Sequence, residues 1–248
     1  MNEVIKLRWL DGIIAFVAME DRVSKNRSSE EFMSGIEAAF RAVEENSQTR
    51  VVVITGYENY FCCGGTKEEL LLVASRKAKF TDFAFYDQLL RCPIPVVAAI
   101  QGHAIGGGLV FGAYADVIVL AEESLYSTNF MQYGITPGIG ATWVIPHKFG
   151  NTLGWEMLLT AKNYFGRELR ERGAPPRIVP KAEVVELSLS LAREIAEKPI
   201  VALRELKRSF YESVRNEQTA AVQKELRMQA KVFADSEVIE RIQSLYPA

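Results

Sequence analysis

Histidine is scarce, at two residues in 248, and cysteine is little commoner, at three. His103 and His147 have no metal-ligand spacing and Cys62, Cys63 and Cys92 form no CxxC pair, so no zinc site can be written from them. Adjacent cysteines also make a poor disulfide, and three reduced, small apolar side chains are expected. Charge of either sign is not in excess. With 29 Lys and Arg against 31 Asp and Glu, the formal charge of −2 lacks the basic field of a nucleic-acid binder. Long apolar runs are missing too: Pro95 to Ile100 and Val117 to Ala121 stop far short of the roughly 20 residues that span a bilayer. Met1 to Leu10 carries Glu3, Lys6 and Arg8 and has no apolar signal-peptide core, so the expectation is a cytoplasmic protein without a membrane segment. Asn26-Arg27-Ser28 is then a chance match to the glycosylation sequon.

What is present is a globular composition, 48% hydrophobic and 24% charged. Val4 to Trp9 and Ile13 to Met19 read as a hairpin turned at Asp11-Gly12. Ser28-Ser29-Glu30-Glu31 reads as a capping box with Ser28 as the cap, and Phe32, Ile36, Ala39, Phe40 and Val43 share one face of the helix that follows. Arg50 to Thr55, Pro95 to Ile100 and Asp116 to Ala121 are apolar without alternation, the pattern of strands covered on both faces. Helical patterns lie between them, which predicts an α/β architecture with crossover connections. From about Leu153 the pattern is almost wholly helical, over Val184 to Glu197, Pro199 to Val214, Gln218 to Phe233 and Val238 to Leu245. The expected division is an α/β core over 1–195 and a helical region over 196–248.

Two glycine clusters stand out, each between a buried strand and a helix. The first is Phe61-Cys62-Cys63-Gly64-Gly65-Thr66-Lys67, and the second is Gln101-Gly102-His103-Ala104-Ile105-Gly106-Gly107-Gly108. Glycine there lets backbone approach a ligand closely and leaves the first helical N–H groups free to meet negative charge. Neither cluster has the Gly-Lys-Ser/Thr order of a phosphate loop or the GxGxxG spacing of a dinucleotide site, and no nucleophile elbow occurs. Each loop can supply one amide to a shared site.

The succession FCCGG, PVVAAIQGHAIGGG, ADVIVLAEES and YGITPGIGAT resembles the crotonase (enoyl-CoA hydratase/isomerase) superfamily over most of the chain. The resemblance implies a crotonase-like ββα spiral core with a C-terminal helical layer, and a homotrimer. It also implies that the backbone amides of Gly65 and Gly107 form an oxyanion hole for a thioester carbonyl. Hydratases of that family move protons with two glutamates, and the matching positions here are Val110 and Phe130, which cannot. Water addition by a carboxylate pair is therefore not expected, whereas chemistry that needs only a stabilised enolate stays open.

Within the superfamily, ENYFCCGGTKEELL, QGHAIGGG, Thr128-Asn129-Phe130, Gln132-Tyr133-Gly134 and RIQSLY are similar to the decarboxylases of polyketide β-branching cassettes. That resemblance implies decarboxylation of a 3-methylglutaconyl group, carried on the phosphopantetheine of an acyl carrier protein, to 3-methylcrotonyl thioester, with no cofactor and no metal. It implies Lys79, in Lys79-Phe80-Thr81-Asp82, as the cation for the substrate carboxylate. It places Cys63, Val110, Phe130, Tyr133 and Gln229 around the substrate, with Gln229 at the position of a histidine in the subgroup. The proton donor stays open between Lys79, an ordered water and a tyrosine such as Tyr86 or Tyr133. The basic loop Arg22 to Arg27 resembles the segment that lines the pantetheine entrance. His103 is expected to hydrogen-bond its loop and His147 to sit at a helix end. An enoyl-thioester isomerase and a non-catalytic carrier-protein binder are the alternative functions.

Overall fold

The computed structural model describes residues 3–75, 77, 78 and 85–246. The chain opens with the expected hairpin, β1 (Ile5–Leu10) and β2 (Ile14–Met19), antiparallel and turned where Asp11 and Gly12 take positive φ. α1 (Glu30–Glu45) leads to β3 (Val51–Thr55), β4 (Tyr60–Cys62), α2 (Lys67–Ala74) and the short α3 (Gln88–Arg91). β5 (Val96–Ile100), β6 (His103–Ile105), α4 (Gly107–Ala113), β7 (Val117–Ala121) and β8 (Leu125–Ser127) follow. A 3-10 turn at Asn129–Tyr133 precedes α5 (Ala141–Phe149), α6 (Asn151–Thr160), β9 (Asn163–Phe165), α7 (Gly166–Glu171) and β10 (Arg177–Val179). α8 (Lys181–Ala196), α9 (Ile200–Val232) and α10 (Ser236–Leu245) end the chain.

Six strands form one sheet in the order β1-β2-β3-β5-β7-β10, parallel from β2 onward, and four form a second in the order β4-β6-β8-β9. The apolar runs of β3 and β5 are buried on both faces for a visible reason. Val51, Val53, Val97 and Ala99 pack on one side with Val184, Ala192 and Ala196 of α8. Val52, Ile54, Val96 and Ala98 pack on the other with Phe32, Ile36, Ala39 and Phe40 of α1 and with the second sheet. The two-residue side-chain period sends alternate valines into different layers.

Three sequence expectations are corrected. The cap of α1 is Ser29, whose Oγ accepts from the Phe32 N–H at 3.2 Å, whereas Ser28 Oγ turns away and donates to Glu69 at 2.6 Å. The two helices expected over Pro199 to Val214 and Gln218 to Phe233 are one helix of 33 residues, because Arg215-Asn216-Glu217 holds neither glycine nor proline to end it. The C-terminal part also contains β9 and β10, three residues each and too short to show a period of two. No helix among the described residues is long and apolar enough to cross a membrane.

Candidate active site

The two glycine loops meet at one cavity, and backbone proximity explains the glycines. A side chain on Gly108 would place its Cβ 2.0 Å from the Cys62 carbonyl oxygen. Gly64, at φ +79°, would place one 2.8 Å from the Ile105 carbonyl and 3.2 Å from the Gly107 nitrogen. The first loop is tied down by Ser28 N–H donating to the Gly64 carbonyl at 3.0 Å and by Cys63 N–H donating to Lys25 at 3.2 Å. The second is tied by Gly106 N–H donating to Ser127 at 2.8 Å. Gly107 opens α4, where the first N–H groups have no intrahelical acceptor. Among the described residues, no hydrogen bond uses the amide of Gly65 or of Gly107.

Gly65, Gly107, Cys63, Phe130 and Tyr133 all line this cavity, joined by Leu70, Phe85, Tyr86, Ile105, Ile135 and Ile139. The wall is therefore mostly apolar. Val110 and Gln229 are not on it, which corrects their placement around the substrate. α4 is buried all round from Gly108 to Ala113, so Val110 lies in the core. Gln229 commits its amide to the Pro137 carbonyl at 3.2 Å. Lys79 lies outside the described residues.

Two lining groups escaped the sequence reading. Glu69 Oε2 accepts from the Thr66 N–H at 2.9 Å and from Ser28 Oγ at 2.6 Å, closing a capping box with Thr66 at the start of α2. Burial pushes this carboxyl above the usual glutamate range, against the pull of those hydrogen bonds. The signal was present as Thr66-x-x-Glu69. Tyr246 also lines the cavity, with its ring 4.6 Å from that of Tyr133. Nothing local in the sequence connects the two. Burial raises the phenols, Tyr86 to about 12, so Tyr86, Tyr133 and Tyr246 stay protonated near neutrality.

A second hollow adjoins the first, sharing Cys63, Ile105, Asn129, Tyr133 and Tyr246, and it adds Lys25, Arg27, Tyr60 and His103. Lys25 sits over the Tyr60 ring and Arg22 pairs with Glu58. His103 Nδ1 accepts from the Leu125 N–H at 3.0 Å, and burial followed by Lys181 lowers its pKa, so it serves its loop as a neutral ring. His147 stacks on Trp143 in the last turn of α5. Asn26 is fully buried and donates to the carbonyls of Met19 and Phe61, which removes it as a glycan acceptor. Among the described residues, no cluster of three His, Cys, Asp or Glu side chains could hold a metal ion.

Two sheets of this strand order, with two glycine loops meeting on an apolar cavity where the amides of Gly65 and Gly107 have no partner among the described residues, define an enzyme of crotonase type. The family described as enoyl-CoA hydratase/isomerase matches residues 11–246, and the chain belongs to that family. Its relatives narrow the class. It is 43% identical over 245 residues to the bacillaene synthase decarboxylase PksI of Bacillus subtilis (strain 168), covering 99% of this chain and 98% of that one. It superposes with a TM-score of 0.96, at 42% identity over 99% of this chain and all of the other, on a structure from a dehydratase/decarboxylase enzyme couple involved in polyketide beta-branching. The ECH2 decarboxylase domain of CurF from Lyngbya majuscula superposes at 0.94, with 36% identity over 99% of this chain and all of that one.

Proposed function

We propose that this protein decarboxylates 3-methylglutaconyl thioester, carried on the phosphopantetheine arm of an acyl carrier protein, to 3-methylcrotonyl thioester. The observation that carries the reading is the pair of amides, Gly65 and Gly107, without a partner among the described residues, on a cavity where Phe130 stands in place of a proton-moving glutamate. The 43% identity to a decarboxylase across the whole chain supports it.

The chemistry follows from the substrate. Breaking the bond to the carboxylate sends its electron pair through the double bond into the thioester carbonyl, and a dienolate results. Two amides aimed at that oxygen stabilise the charge as it develops, and one such donor is worth about 10²–10³ in rate. The apolar wall of Leu70, Phe85, Phe130 and Ile135 excludes water from the carbanion. In this reading Lys79 holds the departing carboxylate, and a proton is then delivered to carbon. The reaction draws on no cofactor. Lys25 and Arg27 give the outer hollow positive charge, suited to the phosphate of the arm and to an acidic carrier protein.

A second reading, an enoyl-thioester isomerase, is favoured by one observation: the Glu69 carboxyl lines the same cavity. One experiment separates them. Carrier protein loaded with 3-methylglutaconate is incubated with the enzyme and weighed intact by mass spectrometry. Loss of CO₂ at a catalytic rate is expected. An acyl group that keeps its mass, with its double bond found moved when the same sample is read by NMR, would favour the isomerase, and bound carrier protein unchanged by both readings would leave only a binding role. The homotrimer belongs to this reading and is tested by light scattering.

A further inference from the structure

Four polar side chains of α9 are buried, and the reaction above uses none of them: Lys207 pairs with Asp116, and the other three lie further along the same helix. Gln218, Glu225 and Gln229 are 6%, 1% and 3% exposed. Their spacing of seven and four residues sets them on one stripe with the buried Val214 and Val222. Buried polar groups persist where their hydrogen bonds are made. Those of Glu225 and Gln229 are made to the loop 137–142 that enters α5, and Gln218 reaches the same loop through Tyr114. Gln229 Nε2 donates to the Pro137 carbonyl at 3.2 Å. Glu225 Oε2 accepts from the Gly140 N–H at 2.6 Å, and its Oε1 accepts from the Thr142 N–H at 2.8 Å and the Thr142 hydroxyl at 2.6 Å. Gln218 Nε2 donates to Tyr114 Oη at 3.3 Å, and that hydroxyl donates to the Ile139 carbonyl at 2.8 Å. The N-cap of α5 is Gly140, which has no side chain with which to cap, so Glu225 caps the helix from 85 positions away.

The loop held in this way carries Ile139 at φ +55°, a region that β-branched residues avoid. Such backbone persists where its surroundings over-determine it, and it gathers at functional sites. Ile139 lines the cavity with Gly107, and its Cδ1 lies 3.4 Å from where a Cβ on Gly107 would stand, so it flanks the open side of that glycine.

We propose that Gln218, Glu225 and Gln229 are positioning residues: with Tyr114 they hold Ile139 on the flank of Gly107 and so limit the positions that the Gly107 amide can take. This rests on the oxyanion role proposed above for that amide. A preset donor stabilises charge only where it points, and a misplacement of about 1 Å can cost on the order of 10²-fold in rate. The clamp also gives Gln229 a purpose in this chain, since its amide supports the loop behind the site.

The test uses the full chain, Glu225→Gln, Ile139→Gly and the double variant, each binding 3-methylcrotonyl-pantetheine labelled with ¹³C at the thioester carbonyl. Infrared difference spectra read the carbonyl stretch, which a working hole lowers. In Glu225→Gln the stretch is expected to return toward its value in solution, with kcat down by about 10²-fold and KM little changed. Ile139→Gly should do the same, and the double variant should be no worse than the more severe single one. A Glu225→Gln protein with the wild-type stretch and kcat but a lower Tm would overturn the proposal, as would additive effects in the double variant. Should Glu225→Gln fail to fold, Gln218→Met, which leaves the carboxylate in place, is read in the same way. Because the probe is the product, it needs no turnover. A wild-type enzyme that polarises the carbonyl yet releases no CO₂ defeats the decarboxylase reading and leaves the clamp standing, whereas an unpolarised carbonyl in the wild type defeats the clamp.

Discussion

The hydroxyl of Tyr246 donates to the carbonyl of Gly65 at 2.9 Å, joining the end of the chain to the first glycine loop across 181 positions. Burial raises the Tyr246 pKa, which keeps the proton that makes this bond. Tyr246→Phe preserves the ring packing on Tyr133 and removes the donor. Stability should fall by about 1 kcal/mol, and kcat should fall more than KM rises, because the carbonyl belongs to the residue whose amide is proposed above to serve the oxyanion. Calorimetry and steady-state kinetics check this, and an unchanged kcat would separate Tyr246 from the hole.

Adjacent glycines should answer oppositely to alanine. At Gly108 the new Cβ would meet backbone of Cys62 at 2.0 Å, and no rotamer can relieve a clash of backbone with Cβ. At Gly107 its nearest neighbour is the tip of Ile139 at 3.4 Å, and the N–H is kept. Gly108→Ala should fail to give folded protein, while Gly107→Ala should express and melt cooperatively. Circular dichroism of the two decides the matter, and a well-folded Gly108→Ala would contradict the contact between the loops.

The three thiols should react in two classes. Cys62 and Cys92 are fully buried, and burial raises both to about 12. Cys63 is half-buried on the cavity wall, and its pKa is also raised by burial. A small maleimide at neutral pH should label Cys63 slowly and alone, and a bound acyl-pantetheine should slow it further. Peptide mapping that finds Cys62 or Cys92 labelled at the same rate would contradict this arrangement.

Glu69 supplies a pH test with a definite sign. Its folded pKa lies above its unfolded value, so the folded state holds the proton longer. Stability from this group is present below the ordinary glutamate pKa and is lost as pH rises through the raised value. Between about pH 4 and pH 7 the wild type should lose stability relative to Glu69→Gln. Melting temperatures of both proteins across that range measure the difference. A gap that does not vary with pH would mean that the carboxyl is not desolvated.

Much of the fold was legible because its signals are local. The hairpin at Asp11-Gly12, the amphipathic α1 and the buried β3, β5 and β7 each declare themselves within a dozen residues. That the loops of Gly65 and Gly107 share one cavity was legible for the same reason, each lying at a strand-to-helix junction. The errors arose where distant partners decide. Ser28 and Ser29 offer the same hydroxyl to the same helix, and only the arrival of Glu69, 41 positions away, assigns Ser28 elsewhere. Val110 and Gln229 sit on helices whose orientation comes from packing, and packing turned both toward other partners. Tyr246 and Ile139 reach the cavity through tertiary contacts with no motif to mark them.

Both sheets list their strands in the order of the sequence: β1, β2, β3, β5, β7 and β10 in one, β4, β6, β8 and β9 in the other. No strand has to be inserted between two that have already paired. As the ribosome releases the chain from its N-terminus, each new strand meets an open edge completed moments earlier, and the sheet grows from one side only while β1 keeps the other edge. A nascent chain stalled after β7 should already hold five strands of the larger sheet in native register, with the edge that awaits β10 as an added exposed surface.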